Sequence, residues 1–454
     1  MTIRYLICAA ALLVLGISHS HADTENDTDS LFHRDTLTGD WLGARKDLAD
    51  AGIQIGGDEI FDALANPVGG HKQGATFEGR LELFTNIDLG PAAGWKGALF
   101  HANAYLIHGN GLSYDDVGNL LTIGNIGTTP GTRLFSAWLQ QSFLDGALSI
   151  RAGQIAADDE FFVSQYAGLF INSTFGWPSI LGINLPSGGP AYPLATPGLR
   201  IRYAVSPSLI VSTGVFNGDP APQGPGNPQL RDAAGTNFRL DGGLFWIGEL
   251  AYSASIAMNQ DSLPGTYKLG GWVHDGAFAD QRFDTTGRSL ADPASSDLPA
   301  LHHGDYGGYV IADQLLWRAE GNSDRGLGIF FRAGGDPADR NLITFHLDGG
   351  LTYAGLLPGR DNDVLGIGMS YEQVSAAQRH LTGDLRNYTS VPHLPDFESA
   401  LELSYQAQLA PWCVVQPDAQ FIIHPGARLP NPTDPSGRAL RNALVLGMRT
   451  AVSL

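Results

Sequence analysis

Apolar and polar side chains alternate along several long stretches of this chain. In residues 76–89 one set of alternate positions is mainly apolar, with Phe77, Leu81 and Leu83 among its members. The other set is mostly polar or charged: Glu78, Arg80, Glu82, Asn86 and Asp88. Because successive side chains of a strand point to opposite faces of a sheet, this stretch predicts a long strand with one apolar face and one charged face.

The same alternation recurs along the chain and predicts sixteen strands. They lie near residues 53–65, 76–89, 95–108, 134–143, 146–155, 198–205, 208–217, 239–255, 266–276, 305–318, 326–336, 343–354, 364–375, 397–410, 413–424 and 441–454. The connections after odd-numbered strands are mostly long and rich in Gly, Pro, Asn and Asp, whereas those after even-numbered strands are short. An even strand count with long loops at one end and tight turns at the other is typical of a transmembrane β-barrel.

Such a barrel accounts for both faces of the predicted strands. The apolar face contacts lipid, the polar face contacts water in the lumen, and closure pairs every strand edge, as the hydrocarbon requires. Barrels of ~16–18 strands leave an aqueous channel, so the strand count predicts a pore. Five tryptophans near predicted strand ends are expected at the membrane interface, with ordinary packing as the alternative: Trp95, Trp246, Trp272, Trp317 and Trp412.

Residues 1–22 predict a secretory signal peptide. Arg4 precedes an apolar run at residues 5–17, and Ser20 and Ala22 stand at the −3 and −1 positions of a cleavage site. The apolar run is too short to span a bilayer as a helix. We therefore expect an exported protein, with a short N-terminal anchor as the alternative reading of these residues.

Residues 23–52 precede the first predicted strand and are expected in the periplasm or in the barrel mouth. Thr38 or Asp40 can cap a short helix that ends at Gly52, with apolar residues along one side. The barrel domain is then expected to span residues 53–454.

The composition argues against other classes of protein. The formal net charge is −19 and no basic cluster occurs, which argues against nucleic-acid binding. The mean hydropathy is −0.05, and no long apolar run follows the signal peptide, which argues against a helical membrane domain. Loss of the signal peptide leaves Cys413 as the single cysteine, so no intramolecular disulfide is possible.

Sequence signatures of enzymes and metal sites are also missing. The chain contains no G-x-S-x-G, H-E-x-x-H, Walker A or EF-hand motif, so we expect no catalytic residues, no metal and no other cofactor. His302 and His303 are expected at a solvated loop tip. Asp115–Asp116 and Asp158–Glu160 are expected in solvated acidic turns, with calcium binding as the alternative. A barrel-form outer-membrane enzyme remains a minor alternative, because its site needs no local motif.

The polar strand faces predict which side chains line the pore and contact solute: Glu78, Arg80, Glu82, His101, Asn103, Tyr105, Arg151, Arg200, Arg202 and Arg332. An arginine offers five N–H donors to hydroxyl oxygens, and neighbouring carboxylates accept from hydroxyl hydrogens. This mixed lining favours neutral polyols, whereas a ring of charges of one sign would select ions. The alternative is that these side chains only keep the lumen wet.

The predicted connection at residues 156–197 is the longest and is rich in aromatic residues. A loop of this length is usually functional. We expect it to fold back into the pore, where six aromatic side chains narrow the channel: Phe161, Tyr166, Phe170, Phe175, Trp177 and Tyr192. Packing of these rings against the inner wall is the alternative, and both can hold for different rings.

Several longer stretches carry a family resemblance: LTGDWLGARKDLADAGIQIGGDEIFDALANPVGG, FFVSQYAGLFINSTFGWP, LPSGGPAYPLATPGLRIRY, VFNGDPA and the closing LELSYQAQLAPWCVVQPDAQFIIHPG…RNALVLGMRTAVSL. From about Leu37 to Leu454 the chain resembles the carbohydrate-selective porins of Gram-negative outer membranes, the OprB family. The resemblance implies a sixteen-stranded outer-membrane barrel that passes glucose and related sugars by diffusion, without an energy source. It also implies a narrow, arginine-lined pore.

Two features depart from that pattern. The chain ends in Leu454, where outer-membrane barrels usually carry a terminal aromatic residue that the assembly machinery recognises. Cys413 stands at the start of a predicted strand, and the sequence gives it no role.

The sequence therefore predicts an all-β, sixteen-stranded antiparallel transmembrane barrel that acts as a porin for small carbohydrates. A general diffusion porin without sugar preference is the alternative. The expected partners are mono- or small oligosaccharides, outer-membrane lipids and the barrel-assembly machinery. No nucleic acid is expected, and the pattern leaves the oligomeric state open.

Overall fold

The computed structural model of the protein describes residues 31–258, 261–319, 325–389, 394–429 and 438–454. The predicted signal peptide, residues 1–22, lies outside these described residues. So does the start of the segment that was expected in the periplasm.

In the described residues, sixteen strands form one closed barrel in which β1 pairs with β16 and each other neighbour is consecutive in the chain. All the pairings are antiparallel. The strands are β1 (Ile53–Gly70), β2 (Gly74–Asp88), β3 (Ala98–Gly109), β4 (Gly131–Phe143), β5 (Leu148–Ile155), β6 (Thr196–Ser206), β7 (Leu209–Asn217), β8 (Leu244–Met258), β9 (Asp261–Asp284), β10 (Pro299–Arg318), β11 (Gly326–Gly335), β12 (Ile343–Ala354), β13 (Val364–Val374), β14 (Phe397–Ala410), β15 (Cys413–Ile423) and β16 (Arg441–Ser453). Each predicted strand overlaps one of these, so the predicted fold class is confirmed.

The helices of the described residues are short and lie between strands or before β1. They are α1 (Ala44–Asp50), α2 (Leu89–Ala93), α3 (Ser179–Gly182), α4 (Pro228–Arg231) and α5 (Ala376–Leu385). Single 3₁₀ or π turns occur at Trp41–Gly43, Ser113–Val117, Leu144–Gly146, Ala167–Leu169, Ser173–Phe175, Pro186–Gly188 and Pro425–Arg428. None of the helices in the described ranges has the length and apolar character needed to cross a bilayer.

The two faces of the strands have the predicted orientation. On β2, Phe77 and Leu83 are 46% and 57% exposed, whereas Glu78 is 2% exposed. On β14, Leu403 points outward and Glu402 is buried. The outer surface therefore carries an apolar band that suits lipid, and the polar side chains fill the lumen.

Trp272 does not lie at the predicted membrane interface. It is 1% exposed, and its ring centroid lies 6.3 Å from that of Tyr309. Both rings cover a glycine of the adjacent strand, because a Cβ on Gly307 would lie 2.1 Å from Trp272 and a Cβ on Gly270 would lie 2.1 Å from Tyr309. Glycine thus makes room for a large ring on the inner wall. The other four predicted interfacial tryptophans are exposed or half-buried: Trp95, Trp246, Trp317 and Trp412.

Two of the connections that were predicted after odd-numbered strands are much shorter than predicted. The first spans residues 71–73 instead of 66–75, and the one between β9 and β10 spans residues 285–298 instead of 277–304. β9 has 24 residues, more than the ~9–11 that cross a membrane, so the β9–β10 hairpin extends beyond the apolar band.

The longer hairpin changes the position of the histidine pair. His302 and His303 lie on β10 and not at a loop tip, so that expectation is wrong. His302 Nε2 is 2.8 Å from Asp280 Oδ2 of β9, across the same strand pair. This contact between strands accounts for the position of His302 without a metal.

The segment before β1 packs where β1 begins and β16 ends. Asp40 Oδ1 accepts from the backbone N–H of Lys46 at 3.1 Å, but the N-cap residue of α1 is Gly43, so the prediction of Thr38 or Asp40 at the N-cap is wrong. Arg45 Nη2 donates to the carbonyl oxygen of Leu454 at 2.9 Å, and the N–H of Leu37 donates to Ser453 O at 2.8 Å. These bonds tie the segment to the last strand of the barrel.

Candidate functional site

The connection between β5 and β6, residues 156–195, folds into the barrel and is called the constriction loop below. Carboxylates of the inner wall accept hydrogen bonds from its backbone N–H groups: Ile171 to Glu402 at 2.6 Å, Asn172 to Glu402 at 3.0 Å, Gln165 to Asp313 at 3.1 Å and Phe162 to Glu249 at 3.2 Å. Buried backbone N–H groups outside regular structure need such partners. Many inward carboxylates therefore hold the constriction loop and do not face solute.

Arg332 of β11 is the centre of this attachment. Its guanidinium donates to the carbonyl oxygens of Phe162, Thr174 and Gly176, each at 2.9 Å, and pairs with Asp348. The side chain is fully buried. It therefore lies behind the constriction loop, and the expectation that Arg332 lines the pore is wrong.

The six predicted loop aromatics fall into three groups. Phe161, Phe170 and Phe175 are buried and pack in aromatic clusters with rings of the wall, so they do not narrow the channel. Trp177 and Tyr192 border open space inside the barrel. Tyr166 is half-buried and lies against Gly328 and a separate pocket.

A cavity of about 880 Å³ remains between the constriction loop and the wall. On its other side lies the connection between β3 and β4, residues 110–130, which is called the second loop below. We call this space the constriction cavity. Charged and aromatic side chains border it: Arg80, Tyr105, Asp158, Asp159, Tyr192 and Arg449.

Arg80 lies over two tyrosine rings at the cavity wall. Its guanidinium carbon lies 4.7 Å from the ring centroid of Tyr105 and 5.7 Å from that of Tyr192, and Nη2 is 3.6 Å from Glu82 Oε2. The Tyr192 hydroxyl donates to the carbonyl oxygen of Ile126 in the second loop at 3.1 Å. The two loops and the wall therefore meet at this arginine.

Arg151 and Arg200 share one carboxylate. Arg151 Nη1 lies 2.9 Å and Arg200 Nε 2.8 Å from oxygens of Glu160, and Gln140 Oε1 also accepts from both guanidinium groups. Two like charges are thereby held side by side on β5 and β6 by a residue of the constriction loop. The shared carboxylate fixes both arginines before any solute arrives.

A stack of rings supports Arg151 from the wall. Its guanidinium carbon lies 3.8 Å from the Trp138 ring centroid, and the His101 ring stacks on Trp138 at 4.8 Å. His101 Nδ1 is 2.7 Å from Asn86 Oδ1. The Trp138 ring contacts Arg151 and His101, and the His101 ring contacts Trp138 and Asn86. These two rings therefore position Arg151 and offer little free surface to solute.

The remaining predicted lining residues differ in exposure. Asn103 Nδ2 donates to Glu82 Oε1 at 2.7 Å, beside the Arg80 site. Glu78 is buried against the second loop, and Arg202 is half-buried on β6. The structure thus brings together two groups of predicted residues: Arg80, Glu82, Asn103 and Tyr105 in one, and Arg151 and Arg200 in the other. Glu78 and Arg202 lie apart from both groups. In the described chain their side chains form no hydrogen bond or ion pair with either group.

Two features of the site were missed or misjudged from the sequence. Arg449 forms a two-bond ion pair with Asp62, at 2.7 Å for each bond, and also donates to Asn125 of the second loop at 2.8 Å. The alternation of β16 places Arg449 on the polar face and is the signal for it. Asp158–Glu160 was expected to be a solvated turn, but Glu160 pairs with arginines and Asp158 borders the constriction cavity.

Asp158 is a carboxyl of the constriction loop whose pKa is raised in the folded protein. Burial raises the pKa of this carboxyl above its ordinary value of ~3.9, the nearby Asp159 raises it further, and a hydrogen bond from the N–H of Tyr192 opposes the shift. The folded state therefore binds this proton more tightly than the unfolded state. Stability from this group is highest below the ordinary pKa and falls as the pH rises towards the raised pKa.

The same titration adds a negative charge to the constriction cavity. Raising the pH from about 5 to about 8 is therefore expected to shift the reversal potential in a KCl gradient towards cation preference. Asp158→Asn should reduce this shift, because the amide does not titrate. The exposed Asp115 of the second loop provides the control, and an equal reduction in Asp115→Asn would contradict the assignment to Asp158.

Comparisons with known proteins fit this geometry. The sequence model of the carbohydrate-selective porin, OprB family, matches residues 72–454. Porin B of Pseudomonas aeruginosa is 26% identical over 444 residues, which cover 93% of each chain. The putative porin QuiX of Acinetobacter baylyi is 25% identical over 418 residues, covering 86% of this chain and 89% of that protein. The high-pH structure of Pseudomonas putida OprB has the same fold, with a TM-score of 0.81, 23% identity, and coverage of 94% of this chain and 100% of that one.

Proposed function

The chain belongs to the carbohydrate-selective porin family, OprB, and from that premise we propose that small neutral sugars pass through its constriction cavity by passive diffusion. The observation that carries the proposal is the fixed, mixed-charge lining of that cavity. Arg80, which borders the cavity, lies beside Glu82, and Arg449, which also borders it, pairs with Asp62. Directly after Asp159 of the cavity wall, Glu160 is shared by Arg151 and Arg200.

Pairing of opposite charges decides which solutes this lining favours. A ring of charges of one sign selects ions, whereas alternating donors and acceptors suit a solute that carries both hydroxyl oxygens and hydroxyl hydrogens. Sugar hydroxyls can replace water at the arginine N–H groups and at the carboxylate oxygens. Hydrogen bonds to charged groups contribute a net ~1.5–3 kcal/mol each, so a few of them can hold a sugar and still allow its release.

The fixed positions of these side chains also support selectivity. Arg80 lies against two tyrosine rings, and Arg151 lies against Trp138. Side chains that are already ordered lose less entropy when a solute binds, so the lining can discriminate without a conformational change. No energy source and no catalytic step are required, and we propose that the protein is a channel and not an enzyme.

The cellular setting follows from the fold and the family, which indicate the Gram-negative outer membrane. We propose that residues 1–22 direct export, that the segment before β1 lies in the periplasm, and that residues 53–454 form the barrel domain in contact with outer-membrane lipids. Insertion by the barrel-assembly machinery belongs to the same proposal.

Block of ion current by sugar tests the proposal. In a planar bilayer, glucose is expected to reduce the KCl current through the purified protein in a saturable way, because a bound sugar occupies the constriction cavity. Arg80→Ala is expected to raise the glucose concentration needed for half-block, since the ordered guanidinium and its N–H donors are lost.

The control is Arg441→Ala, which removes the same charge from an exposed position at the start of β16. It should leave glucose block unchanged. Loss of block in both variants, or in neither, would contradict a specific role for Arg80 and favour the general diffusion porin as the second candidate.

A further inference from the structure

A separate cluster of polar side chains lies at the loop-bearing end of the barrel. Asp305 is on β10, and Asp336 and Asn341 lie in the connection between β11 and β12, residues 336–342. Asn341 Nδ2 donates to Asp305 Oδ1 at 2.8 Å. Asn184 of the constriction loop donates through Nδ2 to Asp336 Oδ2 at 2.7 Å.

Each member of this cluster keeps one buried oxygen without a hydrogen-bond partner in the described residues: Asp305 Oδ2, Asp336 Oδ1 and Asn341 Oδ1. Asp305 is 0% exposed and Asn341 is 1% exposed. Leaving such an acceptor buried and unpaired destabilises the folded state, and a charged group does so more than a neutral one. Three unpaired buried oxygens in one cluster indicate that a cation is missing from it.

The neighbouring cations do not supply that partner. In the described chain, Asp305 and Asp336 have no ion pair within 4.0 Å. Arg340 donates its hydrogen bonds to Asp339 and to the carbonyl oxygen of Gly304. The backbone pairing of Gly308 on β10 with Gly335 on β11 brings Asp336 close to Asp305 in the sheet.

We propose that Asp305, Asp336 and Asn341 bind a divalent cation of the calcium type. The three unpaired atoms are carboxylate and amide oxygens, the hard ligands that Ca²⁺ prefers, and two carboxylates balance its charge. Water and backbone carbonyls would complete the 6–8 ligands. With only two acidic ligands, we expect an affinity in the ~10⁻⁴–10⁻³ M range of extracellular calcium modules.

The site is bonded directly to the constriction loop. Asn184, which holds Asp336, also donates to Ile343 O at 2.6 Å and accepts from the N–H groups of Leu342 and Ile343 at 3.2 Å and 3.3 Å. A cation that fixes Asp336 therefore also fixes the contact between residues 336–342 and the constriction loop. Calcium is expected to stabilise the folded barrel and the constriction loop together.

The test uses the full chain, refolded in detergent without lipopolysaccharide so that no other calcium ligand of the membrane is present. Calcium chloride, compared with EDTA, is expected to raise the temperature at which the folded form is lost, and equilibrium dialysis with radioactive calcium should give one ion per chain. Asp336→Asn and Asp305→Asn should lose both effects. Asp339→Asn, which removes a charge in the same connection, should keep them, because both Asp339 oxygens are bonded by Arg340.

Asn341→Asp separates a metal site from a structural cluster. Without calcium the added carboxylate faces Asp305 and loses its N–H donor, so this variant should be less stable than the wild type in EDTA. With calcium the third carboxylate should tighten binding and restore stability. No calcium binding by the wild type, calcium effects retained in Asp336→Asn, loss of them in Asp339→Asn, or no calcium rescue of Asn341→Asp would each overturn the proposal.

Discussion

Replacing Arg332 with methionine is expected to widen the channel and to weaken the barrel, although Arg332 touches no open space. The substitution removes the donors for three carbonyl oxygens of the constriction loop and leaves Asp348 buried without its arginine. Breaking a buried ion pair by removal of one partner costs ~3–5 kcal/mol. Detachment of the loop should raise single-channel conductance and admit larger oligosaccharides.

Single-channel recording and swelling with sugars of increasing size measure this effect, and the melting temperature measures the stability loss. Arg441→Met is the control, because Arg441 is exposed. If Arg332→Met does not fold, Arg332→Lys keeps the charge near Asp348 but has fewer donors for the three carbonyls. An unchanged conductance in a folded Arg332 variant would show that the loop is held by other contacts.

Glu160→Gln is expected to change the charge selectivity of the channel strongly, because Glu160 directly follows Asp159 of the cavity wall and compensates two arginines. Arg151 and Arg200 would lose the carboxylate that they share, and the constriction would gain net positive charge. The reversal potential in a KCl gradient should move strongly towards anion preference, and glucose block should weaken because the two arginines lose their fixed positions.

Asp145, in the short turn between β4 and β5, provides the matched control, since it is exposed and lies outside the constriction cavity. Asp145→Asn removes the same charge and should leave the reversal potential where it is. Equal shifts in the two variants would mean that the effect comes from overall charge. An unchanged reversal potential in Glu160→Gln would mean that the narrowest point of the channel lies elsewhere.

The alternation of side chains predicted the barrel because a transmembrane strand has two faces in different solvents. The sequence GLRIRYAV shows this, since Leu199 points outward and Arg200 is buried inside. Trp272 was predicted at the membrane interface because it lies near a predicted strand end. That position does not show that a glycine faces the ring from the neighbouring strand. Gly307, on the neighbouring strand, is what admits the ring.

The constriction site was harder to predict because its contacts join distant parts of the chain. Arg332 and Phe162 are 170 residues apart in sequence, and Glu402 and Ile171 are 231 apart. Local patterning shows that these side chains face inward but not which of them meet the constriction loop. For the same reason Asp158–Glu160 had the composition of a solvated turn, although the barrel encloses it.

Swelling of liposomes that contain the purified protein tests the central claim most directly. The comparison is between glucose, an uncharged non-sugar solute of similar size, and an amino acid. We expect glucose to enter clearly faster than the other two, because only its hydroxyls match the paired donors and acceptors of the constriction cavity. Equal rates for all three solutes would contradict sugar selectivity and leave a simple sieve.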